Sequence, residues 1–169
     1  MTVIEREITE IGAIDEIMKK ADLCRIALID NMGYPYIIPM FFGYSLDEGA
    51  LELYFRCEEK GKKFDLLKLN NNAGFEIENI GEFIPSDNPA EFTAEYQCIT
   101  GAGVIESVTG IEKITGLNLI MKKYIQPEHE HNISEQTLNS LAVLKLTASE
   151  FCCVEHIKKP EEEREENRD

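Results

Sequence analysis

Apolar residues at Ile11, Ile14, Ile17 and Met18 recur at the spacing of one helical face, and the pattern predicts an amphipathic helix over residues 11–21. From Leu23 the period shortens. Residues 23–30 and 34–44 are rich in β-branched and aromatic side chains, and the short Asn31-Met32-Gly33 link between them predicts a hairpin. Asp47-Glu48-Gly49 then turns the chain into a strand over 51–55, so three antiparallel strands are expected to form a meander by position 57. Pro35 and Pro39 sit inside the second of these, where each removes a ladder donor. That strand is therefore expected at an edge, at a bulge, or against something other than a strand.

Helical spacing returns over 61–69 and is closed by Asn70-Asn71-Asn72, and a strand follows over 73–78. Residues 79–92 carry Gly81, Pro85, Ser86, Asp87 and Pro89, a composition that predicts the longest loop of the chain. Beyond it the pattern predicts a strand over 95–107, bent near Gly101 and Gly103, a helix over 111–125 and a last strand over 141–154. There is no internal repeat. Strands without βαβ alternation point to a barrel or α+β fold of six strands and not to a doubly wound parallel sheet. The 169 residues fit one domain, expected over 1–157, followed by an almost wholly charged, solvated tail over 158–169.

Charge narrows the function. A net charge of −15 argues against binding duplex nucleic acid, which requires a broad basic surface. No apolar run approaches the ~20 residues of a membrane span, and the polar start Met1-Thr2-Val3-Ile4-Glu5-Arg6-Glu7 does not resemble a secretory signal, so a cytoplasmic location is expected. The five cysteines, Cys24, Cys57, Cys98, Cys152 and Cys153, are odd in number and lack CxxC spacing, which predicts free thiols without a disulfide framework or zinc site. Glu128-His129-Glu130-His131 follows Pro127 and fits a solvated polar turn better than a metal site. No nucleophile triad and no dinucleotide fingerprint is present.

Against this acidic background Arg56, Lys60, Lys62, Lys63 and Lys68 place five of seventeen basic residues within thirteen positions. Lys60-Gly61-Lys62-Lys63 falls at a predicted strand-to-helix junction, where unpaired N–H groups and the helix dipole favour an anion such as phosphate. Taken alone, the same lysines also fit a solvated turn that binds nothing.

Arg25-Ile26-Ala27-Leu28, Gly33-Tyr34-Pro35-Tyr36-Ile37-Ile38-Pro39-Met40-Phe41-Phe42, Leu53-Tyr54-Phe55, Gly61-Lys62-Lys63-Phe64-Asp65-Leu66-Leu67 and Phe75-Glu76-Ile77-Glu78 occur in that order. Together they resemble the pyridoxamine 5′-phosphate oxidase-related flavin-binding proteins, and in particular the nitroimidazole-resistance branch. The resemblance implies a mainly β, α+β fold: a six-stranded antiparallel split β-barrel with flanking helices, a homodimer with FMN at the interface.

It further implies that Arg25, Lys62 and Lys63 approach the FMN phosphate, that the flavin lies against the backbone of Ile38, Pro39, Met40 and Phe41, and that Ile26, Phe55 and Arg56 border the cofactor. His156 follows the last predicted strand, and C-terminal residues of related split barrels reach the partner's cofactor. The nitroimidazole-resistance branch commonly carries a histidine after the Leu-Tyr-Phe run, where this chain has Arg56. A guanidinium stays charged and cannot shuttle protons, so Arg56 would instead stabilise negative charge on a reduced flavin, bind an anionic substrate, or be a surface arginine paired with Glu58. The function implied is a flavin-dependent, nitroreductase-like oxidoreductase moving electrons from NAD(P)H to a small acceptor. The alternative of a different class is a flavin- or haem-binding or sensing protein without turnover.

Overall fold

The computed structural model describes residues 3–125 and 133–158. The Glu128-His129-Glu130-His131 motif and the tail from residue 159 lie outside the described residues. The described residues form eight strands and four helices in the order β1 (Val3–Glu7), α1 (Ile11–Lys20), β2 (Cys24–Ile29), β3 (Pro35–Met40), β4 (Phe42–Asp47), β5 (Ala50–Cys57), α2 (Lys62–Leu69), β6 (Asn72–Ile84), β7 (Thr93–Val108), α3 (Gly110–Tyr124), α4 (Glu135–Ser140) and β8 (Ala142–Lys158).

All strand pairs are antiparallel, in the order β3-β2-β6-β7-β8-β5-β4, with β1 added along β8. The sheet is not closed. Its two end strands, β3 and β4, are consecutive in the chain and separated by Phe41 alone, yet they do not pair. The expected meander is thus corrected: β2 with β3 and β4 with β5 are hairpins, but the chain crosses the split of the barrel between them. Pro35 and Pro39 fall on an edge strand, where their missing N–H groups cost no ladder bond on the open side.

The strand count exceeds the expected six for two reasons. The run over 34–44 breaks at Phe41 into two strands, and Val3–Glu7 pairs with the far end of β8. Other corrections concern length. β6 continues through Ile84 against β7, with a register shift between Ile80 and Phe83, so 79–84 is ladder and not loop. β8 runs to Lys158, which places His156 inside a strand and not after it. The bend expected at the paired glycines is present as a register shift between Ala102 and Gly103 against β8.

The inward row of each strand fills one core. Ile26 and Leu28 of β2, Phe42 of β4, Leu53 and Phe55 of β5, Ile77 of β6, Ile99 and Ile105 of β7, and Leu144 and Leu146 of β8 are all fully buried. α1 adds Ile14, Ile17 and Met18 and α2 adds Leu66 to the same cluster, which is the burial expected of helices whose apolar residues share one stripe. α3 instead covers the outer face, where Leu117 and Ile120 pack on Tyr54, Val108 and Val143. It lies so close to β4 that a Cβ at Gly43 would come within 2.9 Å of Ile120 Cα and closer to Ile120 N and Leu119 C.

Candidate functional site

The split between the two ends of the sheet opens as a cleft of about 700 Å³ lined by Leu23, Ile38, Pro39, Met40, Phe41, Arg56, Cys57, Glu58, Ser140 and Leu141. One wall is the C-terminal half of edge strand β3. The opposite wall is the end of β5 with the junction of α4 and β8. Register fixes this meeting: Phe42 pairs with Phe55 and Arg56 pairs with Val143, so Arg56 emerges just beyond Phe42, the first β4 residue, opposite Phe41. β3 has a ladder partner on one side only, which leaves backbone groups of its other side facing the split.

Phe41 is 53% exposed and is held from behind. The Tyr124 ring meets it edge to face at 5.2 Å, while the Tyr124 hydroxyl accepts from Phe42 N at 3.1 Å and donates to Asp22 O at 2.8 Å. Burial pushes the Tyr124 phenol up to about 12, so it remains a donor across the physiological range. Lys123 donates to Met18 O and Lys19 O at the end of α1 and lies 4.7 Å from the Phe42 ring, its pKa lowered by burial. The end of α3 therefore fixes the position of the chain where it crosses the split.

Lys62 and Lys63 open α2 beside this cleft. Lys62 Nζ lies 4.5 Å over the ring of Tyr36, on β3, and burial raises the pKa of the Cys57 thiol, a rise that nearby Lys63 opposes only in part. Gly61 precedes them at φ 100°, a conformation open to glycine, and no side chain caps the helix. The first N–H groups of α2 are thus left to solvent or to an anion. From Tyr36, beside Lys62, to Met40, in the cleft near Arg56, β3 advances four residues, about 13 Å at ~3.3 Å per residue. A cationic corner and an apolar cleft lie at the two ends of one strand.

Five of the residues expected at the cofactor, Ile38, Pro39, Met40, Phe41 and Arg56, are brought together in this cleft, with Lys62 and Lys63 along the strand. The others are elsewhere. Arg25 Nη1 bonds Glu76 at 3.0 Å and Glu78 at 2.9 Å on neighbouring β6, and lines a separate hollow with Lys20 and Asp22. Leu23 borders both hollows. The Ile26 and Phe55 side chains are fully buried and offer no surface to a ligand. His156 lies within β8, stacked on Tyr96 at 5.1 Å, with Nε2 3.3 Å from Thr93 Oγ1. Leu23, Cys57, Glu58, Ser140 and Leu141 were not anticipated. Only α4 had left a local signal, the cap in which Ser134 Oγ accepts from Thr137 N.

α3 covers one half of the outer sheet face. The other half, across β3, β2, β6 and β7, carries no helix among the described residues and presents Ile29, Ile37 and Val104, with Gly74 and Ala102 between them in a shallow hollow. Among the described residues there is no group of three or more His, Cys, Asp or Glu placed to hold a metal ion, and no helix long and apolar enough to cross a membrane.

The family model described as pyridoxamine 5′-phosphate oxidase matches residues 10–166. No curated protein matches the sequence. Similar solved structures include a protein described as a 5-nitroimidazole antibiotic resistance protein from Bacteroides thetaiotaomicron, 22% identical, covering 92% of this chain and 90% of that one with a TM-score of 0.74. A flavocytochrome from Azotobacter vinelandii is 18% identical over 98% of this chain and 76% of its own, with a TM-score of 0.71. An FAD- and heme-binding protein from Mycobacterium smegmatis is 16% identical over 95% of this chain and 80% of its own, with a TM-score of 0.74.

Proposed function

This chain belongs to the pyridoxamine 5′-phosphate oxidase family, and on that premise we propose that it binds FMN in the split of the barrel, as a homodimer, and works as a flavin-dependent oxidoreductase between NAD(P)H and a small acceptor. The observation that carries this reading is the alignment of a cationic corner, Lys62 and Lys63 at an uncapped helix start, with an apolar cleft farther along the same edge strand. The residues fit the group. A phosphate dianion calls for two or more cationic donors, and the cleft volume lies within the ~300–1,000 Å³ of small-molecule sites.

FMN would supply the electron chemistry. Lys62, Lys63 and the first N–H groups of α2 would hold the phosphate. The free backbone edge of residues 38–41 would orient the ring, and Phe41, Leu23 and Leu141 would keep water from one side of it. Arg25 is already engaged by two carboxylates, so for it to join the phosphate Glu76 and Glu78 would have to give way. The bare half of the outer sheet, with Ile29, Ile37 and Val104, is the face we assign to the second copy.

Absorbance of the purified protein and quenching of FMN fluorescence test the cofactor. Bound flavin is expected, with Lys62→Ala/Lys63→Ala weakening it about tenfold at low salt and less as salt rises, because screening removes the same attraction. Absence of any FMN binding would sink the reading. Anaerobic bleaching of the flavin by NADH or NADPH, followed by reoxidation with a nitroaromatic compound, is expected of an enzyme. A flavin that no nicotinamide reduces would favour the second reading, a flavin- or haem-binding protein without turnover, which the similarity to a flavocytochrome and to an FAD- and heme-binding protein supports.

A further inference from the structure

The chain carries 32 acidic against 17 basic residues, so carboxylates are in excess for any exposed cation. Arg6 and Arg25 follow that expectation and are tied to Glu155 and to Glu76 and Glu78. Arg56 does not. It makes no ion pair and no side-chain hydrogen bond among the described residues, although Glu58 lines the same cleft two positions on. β5 carries it past the start of β4, so it has a ladder partner only on the β8 side, Val143, and lines the cleft at the split. The surrounding wall is apolar: Ile38, Pro39, Met40, Phe41 and Leu141. A forked donor with no partner among the described residues, set beside such a wall, interacts more strongly with an anion than one in open water, because the local dielectric is lower.

Two features set the kind of anion. A phosphate dianion has a better place at Lys62, Lys63 and the start of α2. The cleft lining itself holds one guanidinium and one carboxylate, Arg56 and Glu58, so a dianion there would meet repulsion from Glu58. A single carboxylate matches the guanidinium fork and adds the least opposing charge.

We propose that the cleft selects an apolar molecule bearing one carboxylate, with Arg56 as the residue that sets this specificity. That such a molecule is the electron acceptor rests on the flavin reading; that the cleft binds it does not.

Calorimetric titration with 4-nitrobenzoate and the neutral, similarly shaped 4-nitrobenzamide tests the inference on the full chain, both FMN-saturated and FMN-free. The wild-type protein is expected to prefer the carboxylate about tenfold or more. Arg56→Gln is expected to bring the ratio of the two affinities to about one, Arg56→Lys to restore it in part, and Glu58→Gln to raise it. Arg56 is exposed, and unchanged melting temperatures will confirm that the variants fold.

A wild-type ratio near one, or a ratio that Arg56→Gln leaves unchanged, overturns the proposal. So does loss of FMN affinity in Arg56→Gln with the FMN-free ratio intact, which would assign Arg56 to the flavin. An Arg56-dependent ratio in a protein that quenches no FMN upholds this inference while the flavin reading fails.

Discussion

Tyr124 is the residue on which the geometry of the split depends. One phenol serves Phe42 N and Asp22 O and braces the ring of Phe41, so three segments remote in sequence are fixed by a single side chain. Tyr124→Phe keeps the ring and removes both bonds, and is expected to cost about 1 kcal/mol at neutral pH by urea denaturation. The folded state retains the Tyr124 proton to about pH 12, whereas the unfolded chain releases it near its ordinary value of 10.0. The contribution is thus complete below that value and falls away between the two, since the folded state there binds more protons than the unfolded. Burial raises Tyr44 and Tyr54 in the same direction, so Tyr124→Phe will flatten the alkaline loss of stability only in part. An unaltered alkaline slope would show that Tyr124 is not held as described.

At the scale of elements, the contact of α3 with β4 is the one that tolerates least change. Gly43→Ala would drive a methyl into the backbone of Ile120 and Leu119, neither of which can rotate away. A loss of about 1–3 kcal/mol or more is expected from such overpacking. Gly12→Ala in α1, where nothing lies within 4 Å of the added carbon, is expected to stabilise by about 0.5–1 kcal/mol. Urea midpoints of the two variants moving in the same direction would contradict this account.

The elements legible from sequence were those whose apolar residues recur locally: the stripe Ile14, Ile17, Met18 for α1, and the prolines that marked β3 as an edge. β1 was not legible, because Val3 and Ile4 lead straight into charged residues and the strand exists only as a partner of β8. The end of β6 was hidden for a related reason. Gly81 and the nearby prolines suggest a loop, but pairing of Phe83 and Ile84 with β7 overrides local preference. The site was half legible. Residues 38–41 and Arg56 were marked by the interrupting proline and by the family pattern, whereas Leu23, Ser140 and Leu141 join them only through the order of strands across the sheet.

For the whole molecule, charge and apolar surface pull in opposite directions. A chain of net charge −15 repels its own copies, while Ile29, Ile37 and Val104 on the uncovered half of the sheet favour association. Sedimentation velocity is expected to give a dimer that tightens as salt rises to about 0.15 M, where the Debye length is ~8 Å. Ile37→Lys, at a position 60% exposed in the single chain, is expected to leave a folded monomer. A wild-type monomer at every salt concentration would remove the proposed interface.

β8 pairs with β7, β5 and β1. Its partner residues are far away along the chain: Val3 meets Lys158 and Glu52 meets Thr147. Contacts of such long sequence separation are slow to find, because the chain entropy of closing each loop is lost before the ladder compensates it. During synthesis β5 and β7 emerge well before β8, and each has an open edge facing the place β8 will fill. The nascent chain therefore passes through a stage in which two unpaired edges are exposed together, the condition under which strands of neighbouring chains pair with one another. Completion of the sheet therefore waits on the emergence of one strand.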